Sequence, residues 1–129
     1  MNYALLVLSS PVSGHGARTA AHFAHSVIAR GHHIERIFFL DEGTSNGSAV
    51  AVFPQDEADR LEPWTNLADD HCVELVLCIS SALKHSMLDE QEAERYDRAT
   101  TTHPAFVVSG LGQLIDAASH CDRLVTFGG

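Results

Sequence analysis

Apolar runs alternate with helical periods along this whole chain, and that alternation leaves few folds open. Residues 3–9 form an apolar run, followed by turn chemistry at Ser10-Pro11-Val12-Ser13-Gly14-His15-Gly16. Residues 17–30 place Ala20, Ala21, Ala24, Val27 and Ile28 on a helical period that stops at Gly31. His33 to Leu40 reads as a second strand, 41–48 as a polar loop, and 57–71 as a helix that Pro63 either kinks or starts. Strand three spans 73–79. A helical stretch follows from Ser80, breaks near Ser86 and resumes at Asp89. Phe106-Val107-Val108 is a short strand, Ser109 an expected N-cap for a helix over 111–120, and 122–127 the last strand. Strand–helix alternation of this kind predicts a single domain over 1–129, an α/β three-layer α/β/α sandwich. Its sheet should be mostly parallel, with about five strands, and strand order does not follow from the sequence.

Charge narrows the function classes. The 129 residues carry 17 acids against 8 Lys and Arg, a formal net charge of −9, with no basic cluster. Direct binding to a nucleic-acid backbone is therefore not expected, whereas docking to a basic protein partner is compatible. No run approaches the ~18 apolar residues of a membrane span. The N-terminal run lacks a basic flank and reads as a strand, not a signal peptide. Three cysteines without a C-x-x-C pair make a poor disulfide framework, and a cytoplasmic location is expected. Phe38, Phe39, Phe53 and Trp64 suggest more apolar surface than so small a core uses, so an oligomer is expected.

Cys78 stands where strand three gives way to the small-residue stretch Ser80-Ser81-Ala82. Chemistry in α/β proteins gathers outside the carboxyl ends of strands. A thiol there meets the positive end of a helix, which favours the reactive thiolate, and Lys84 follows nearby. The plain alternative is a buried packing cysteine. Cys72, at a helix–strand corner, and Cys121, at the end of the last helix, read as packing residues. Cys72 lies six residues from Cys78, roughly 20 Å along an extended strand, too far to bridge.

Other constellations are weaker. Gly14-His15-Gly16 opens a helix after a strand, as phosphate-cradling loops do, but the third glycine of GxGxxG and a following GK[ST] are missing. His22 and His25 stand at i, i+3, with His15 upstream, yet no Cys or carboxylate joins them at ligand-like spacing. Asp41-Glu42 and Asp69-Asp70 read as solvated acids. No metal or organic cofactor is called for by these residues.

Leu77-Cys78-Ile79-Ser80-Ser81-Ala82-Leu83-Lys84, then Asp89-Glu90-Gln91-Glu92-Ala93, resembles the DsrE/TusD family of sulfur-carrier subunits. Ser109-Gly110-Leu111-Gly112 and Asp122-Arg123-Leu124-Val125-Thr126-Phe127 match that family's S-G-L-G and D-R-[LV]-V-x-F elements, and Gly31-His32, Ile37-Phe38-Phe39 and Gly43-x-x-Asn46 its upstream pattern. The resemblance implies a DsrE/F-like, flavodoxin-like fold and a sulfurtransferase with Cys78 as persulfide carrier. It implies partners as well: TusB- and TusC-like paralogues in a hetero-oligomer, a TusA-like sulfur donor and a TusE-like acceptor, feeding 2-thiouridine formation at the tRNA wobble position. The DsrE branch would serve dissimilatory sulfur metabolism instead. Leu40 and Lys84-His85-Ser86 depart from the family's usual residues. A non-catalytic flavodoxin-like module, with a phosphate or flavin on the first loop, is the reading from another class.

Overall fold

The computed structural model describes residues 1–129 and places five parallel strands in the order β4-β3-β2-β1-β5. In chain order the elements are β1 (Asn2–Val7), α1 (Gly16–Ala29), β2 (His33–Phe39), a 3-10 segment η1 (Asp41–Gly47), α2 (Glu62–His71), β3 (Glu74–Cys78), α3 (Ile79–Lys84), α4 (Glu90–Tyr96), β4 (Phe106–Ser109), α5 (Gly112–His120) and β5 (Arg123–Phe127). No helix is long and apolar enough to cross a membrane.

Topology decides which helix covers which face. From β1 to β4 the chain steps in one direction across the sheet, so right-handed crossovers keep the intervening helices on one side. The connection from β4 to β5 returns across the whole sheet, and the same handedness puts α5 on the other side. Two cores result. The larger joins Leu5, Val7, Ile37, Phe39, Leu75 and Leu77 to the alanine face of α1 and to Trp64 and Leu67 of α2. The smaller, on the α5 side, centres on Phe38, Val76 and Cys78.

A register shift between Tyr3 and Ala4 is what sends Arg36 to the α5 side. Tyr3 pairs with Ile34 and Ala4 with Arg36, leaving Glu35 as an extra residue. Without that bulge, Ile34 and Arg36 would share a face, since strand side chains alternate with period two.

Several expectations are corrected. Residues 41–47 are a 3-10 helix with Thr44 and Asn46 buried, not a polar loop, because Asn46 bonds inward to the Ser9 and Gly43 carbonyls and to Trp64 Nε1. Pro63 stands in the first turn of α2, where its missing N–H has no helical partner to lose, so it starts the helix. Ile79 opens α3 rather than closing β3. Ser109 is the last residue of β4, and α5 starts after Leu111 with no side-chain cap. Phe38, Phe39 and Trp64 are fully buried, so they supply no surplus surface. Exposed apolar side chains are found instead in the loops, at Val12, Val50 and Val52, and on the later elements, at Ile79, Leu83, Val107, Leu111, Ile115 and Leu124 among others.

Candidate functional site

Cys78 is both the last residue of β3 and the N-cap of α3, in extended conformation. Small side chains allow this abrupt change: Ser81 and Ala82 are buried, bringing the first turn of α3 close against the sheet. An N-cap side chain faces the N–H groups of the second and third helical residues, here Ser80 and Ser81. Cys78 Sγ lies 3.6 Å from Ser80 Oγ. Ser81 Oγ accepts the Asp41 N–H at 3.0 Å, which ties η1 to the site.

Burial alone pushes the Cys78 thiol up, and that push is outweighed. The Ser81 N–H, the Ser80 and Ser81 hydroxyls and the Ser80 N–H together hold its pKa below the usual thiol value. The thiolate is therefore favoured by local hydrogen-bond donors. Lys84, expected to help, sits exposed at the far end of α3 and is not among the groups that lower the thiol.

Cys78 is closed off from solvent. The residue is only 1% exposed, at the end of a cluster with Phe38 and Val76 against which Leu6, Leu40 and Leu114 pack. A reagent can reach Cys78 Sγ only when the side chains around it move.

Of the other two cysteines, only Cys72 departs from a packing role. Cys72 caps α2 in the left-handed region, φ 55°, and is exposed, while Cys121 caps α5 and is half-buried. The left-handed cap leaves Cys72 in water, so the packing reading fails there. Cys72 and Cys78 stand at opposite ends of β3.

The histidines do not converge. His25 Nε2 lies 2.9 Å from the Pro63 carbonyl, and His22 is exposed on the wall of a cavity of about 500 Å3. That cavity opens between α1 and the segment before α2, lined by Arg18, Asn46, Arg60 and Trp64 among others, and Cys78 is not in its lining. No group of three or more His, Cys, Asp or Glu is placed to hold a metal. In the first loop, Gly14 has φ +70°, and a Cβ there would stand 2.0 Å from the Gly129 carbonyl oxygen. The loop's glycines thus give room to residues 128–129 of the same chain.

One cluster escaped the sequence reading. Arg36, largely buried, donates from Nη1 to the Gln113 carbonyl at 2.8 Å and to Asp116 at 3.2 Å, and from Nη2 to Glu74 at 2.9 Å. Arg36 and Glu74 are direct register partners on β2 and β3. The available signal was charge inside each of two neighbouring apolar runs, Glu35-Arg36 in Ile34–Leu40 and Glu74 in Val73–Ile79.

The profile of the DsrE/DsrF-like family matches residues 1–127. The chain is 41% identical over 130 residues to a protein of Pseudomonas aeruginosa named sulfurtransferase TusD homolog, covering 100% of this chain and 98% of that one. It is 37% identical to the sulfurtransferase TusD of Serratia proteamaculans over 98% of this chain and 99% of that one. A protein named DsrE from Allochromatium vinosum is also 37% identical, over 99% of each chain. Among solved structures, the ychN protein from E. coli superposes with TM-score 0.72 over 98% of this chain and 100% of its own, at 12% identity, a likeness of fold alone.

Proposed function

Because the chain belongs to the DsrE/DsrF-like family, we propose that it relays sulfur as a persulfide on Cys78. The carrying observation is the thiol's position: N-cap of α3, at the carboxyl edge of the sheet, with four hydrogen-bond donors lowering its pKa. Proteins named as sulfurtransferases among its relatives support the reaction class.

The transfer divides into two displacements. The Cys78 thiolate attacks the outer sulfur of a donor persulfide. The donor's S–S bond breaks, its electron pair leaves on the donor thiolate, and the moved sulfur keeps its proton as Cys78–S–SH. An acceptor thiolate then attacks that outer sulfur and releases Cys78 as thiolate. Neither step consumes an oxidant or reductant, and no metal enters.

We place this subunit in a TusBCD-type complex in the cytoplasm, with TusB- and TusC-like paralogues, a TusA-like donor and a TusE-like acceptor, serving wobble 2-thiouridine formation. The identity to DsrE favours a second assignment with the same chemistry, a subunit of dissimilatory sulfur metabolism. Incubation with a persulfidated donor and isotopically labelled sulfur tests the common core. Mass spectrometry should find one added sulfur on the Cys78 peptide and none in Cys78→Ser. Label on Cys72 or Cys121 instead would overturn the assignment. Passing the label to TusE rather than a sulfur-oxidation carrier separates the two pathways.

A further inference from the structure

We propose that Ser80 and Ser81 are positioning residues whose hydroxyls donate to Cys78 Sγ and chiefly assist the release of sulfur from the persulfide. This rests on Cys78 being the carrier.

The geometry assigns the two hydroxyls different supports. Ser80 Oγ stands 3.6 Å from Sγ, within sulfur hydrogen-bond range, on the exposed side of α3. Ser81 is buried, and its oxygen accepts the Asp41 N–H at 3.0 Å. That bond occupies a lone pair and leaves the hydroxyl proton uncommitted. The contact is set from outside α3: Asp41, at φ 53°, is a non-glycine residue held in the left-handed region at the start of η1. This backbone turn directs the Asp41 N–H at Ser81, which leaves the Ser81 hydroxyl proton free to donate to the sulfur.

Charge bookkeeping over the two displacements shows where such donors matter. In the loaded state the inner sulfur is neutral, bonded to carbon and to the outer sulfur. During release the S–S bond breaks and its electron pair returns to Sγ, so negative charge develops 3.6 Å from the Ser80 hydroxyl and beside the turn that carries Ser81. A leaving thiol of lower pKa departs faster, whereas an attacking thiolate of lower pKa is the weaker nucleophile. Donors on Sγ therefore speed release, and once the thiol is fully ionised they somewhat restrain capture.

The experiment uses Ser80→Ala and Ser81→Ala in a Cys72→Ser/Cys121→Ser chain, so that only Cys78 titrates. Thiolate ultraviolet absorbance against pH should show a midpoint raised by about half a unit or more, a threefold or greater change in ionisation constant. At a pH where Cys78 is fully ionised in every variant, single-turnover release to an acceptor thiol should slow about threefold. Capture from a persulfide donor should be undiminished. Slowing of both steps alike would mean a structural defect only, and an unchanged midpoint in folded Ser81→Ala would overturn the proposal. If Ser81→Ala does not fold, exposed Ser80→Ala carries the same decision. The titration needs no sulfur transfer, so its result stands apart from whether Cys78→Ser abolishes loading.

Discussion

Arg36 Nη1 donates to the Gln113 carbonyl at 2.8 Å, pinning the first turn of α5 to the middle of the sheet. The next residue, Leu114, packs against the cluster that encloses Cys78. One buried guanidinium therefore holds in place the helix whose Leu114 packs on the cluster that contains Cys78.

Arg36→Met tests that relationship. Glu74 and Asp116 are about half exposed, so their charges return to water when Arg36 is lost, and the ~3–5 kcal/mol of a stranded buried charge does not apply. The lost hydrogen bond to a helix carbonyl should cost about 1–3 kcal/mol in urea unfolding. Cys78 should meanwhile alkylate faster under native conditions. An unchanged alkylation rate would show that α5 does not control access.

Thiol order depends on reagent size. Cys72 is exposed and Cys78 enclosed, so a bulky maleimide should label Cys72 first despite the lowered Cys78 pKa. A small reagent such as iodoacetamide should narrow or reverse that order as pH falls toward neutral, because the hydrogen-bond donors around Cys78 favour its thiolate. Peptide mapping at short times reads both. Cys78 labelled first by the bulky reagent would mean that it is more open than its burial allows.

The fold was legible because its signal is periodic: five apolar runs and the turns between them survive any uncertainty of a residue or two at the ends. What stayed hidden depends on relations between distant segments. The β4-β3-β2-β1-β5 order and the Tyr3–Ala4 register shift leave no local pattern, yet together they bring Arg36 under α5. Cys78 was visible as a strand-end thiol, but its enclosure was not, since Leu6, Leu40 and Leu114 come from three other parts of the chain. Lys84 looked close in sequence and is distant in effect, because α3 carries it to the opposite helix end. Donors two and three residues past the thiol take the part assigned to it.

Stability should depend on Cys78 ionisation with a definite sign. Its pKa in the fold lies below the unfolded value, so between the two the unfolded chain binds more protons, and stability rises with pH. The contribution is complete above the unfolded pKa and is lost as pH falls through the folded one. Urea titrations of the Cys72→Ser/Cys121→Ser chain, with and without Cys78→Ser, should diverge as pH rises through that window. A constant difference would show that the fold does not favour the thiolate.

Gly16→Ala should damage the first loop by crowding. A Cβ at Gly16 would lie 2.1 Å from Ser9 Oγ and 2.6 Å from the Gly128 carbonyl oxygen. The serine can turn, but the carbonyl belongs to backbone just beyond β5, so the strand end must shift. About 1–3 kcal/mol should be lost in thermal or urea unfolding. Calorimetry with flavin or nucleotide separates this from a binding role: tight binding abolished by the change would restore the first loop as a ligand site.

The α5 side of the sheet is where association should occur. One nine-residue helix covers it, against α1 and α2 on the opposite face. Ile115 is 66% exposed on α5, with Leu111 beside its start, Val107 on the edge strand β4 and Leu124 on the other edge strand, β5. Apolar side chains spread over both margins of a thinly covered face suit contact with another chain better than solvent, because each buried Leu, Ile or Val gains about 1.5–3 kcal/mol. Light scattering at micromolar concentration should show an oligomer, alone or with paralogous partners. Ile115→Lys should weaken it while leaving the fold intact, since that side chain already faces water. Leu114 of α5 packs on the cluster that contains Cys78, so a partner on this face would also bear on that cluster. Assembly unaffected by Ile115→Lys would move the interface elsewhere, and a monomer unchanged by every partner would remove it.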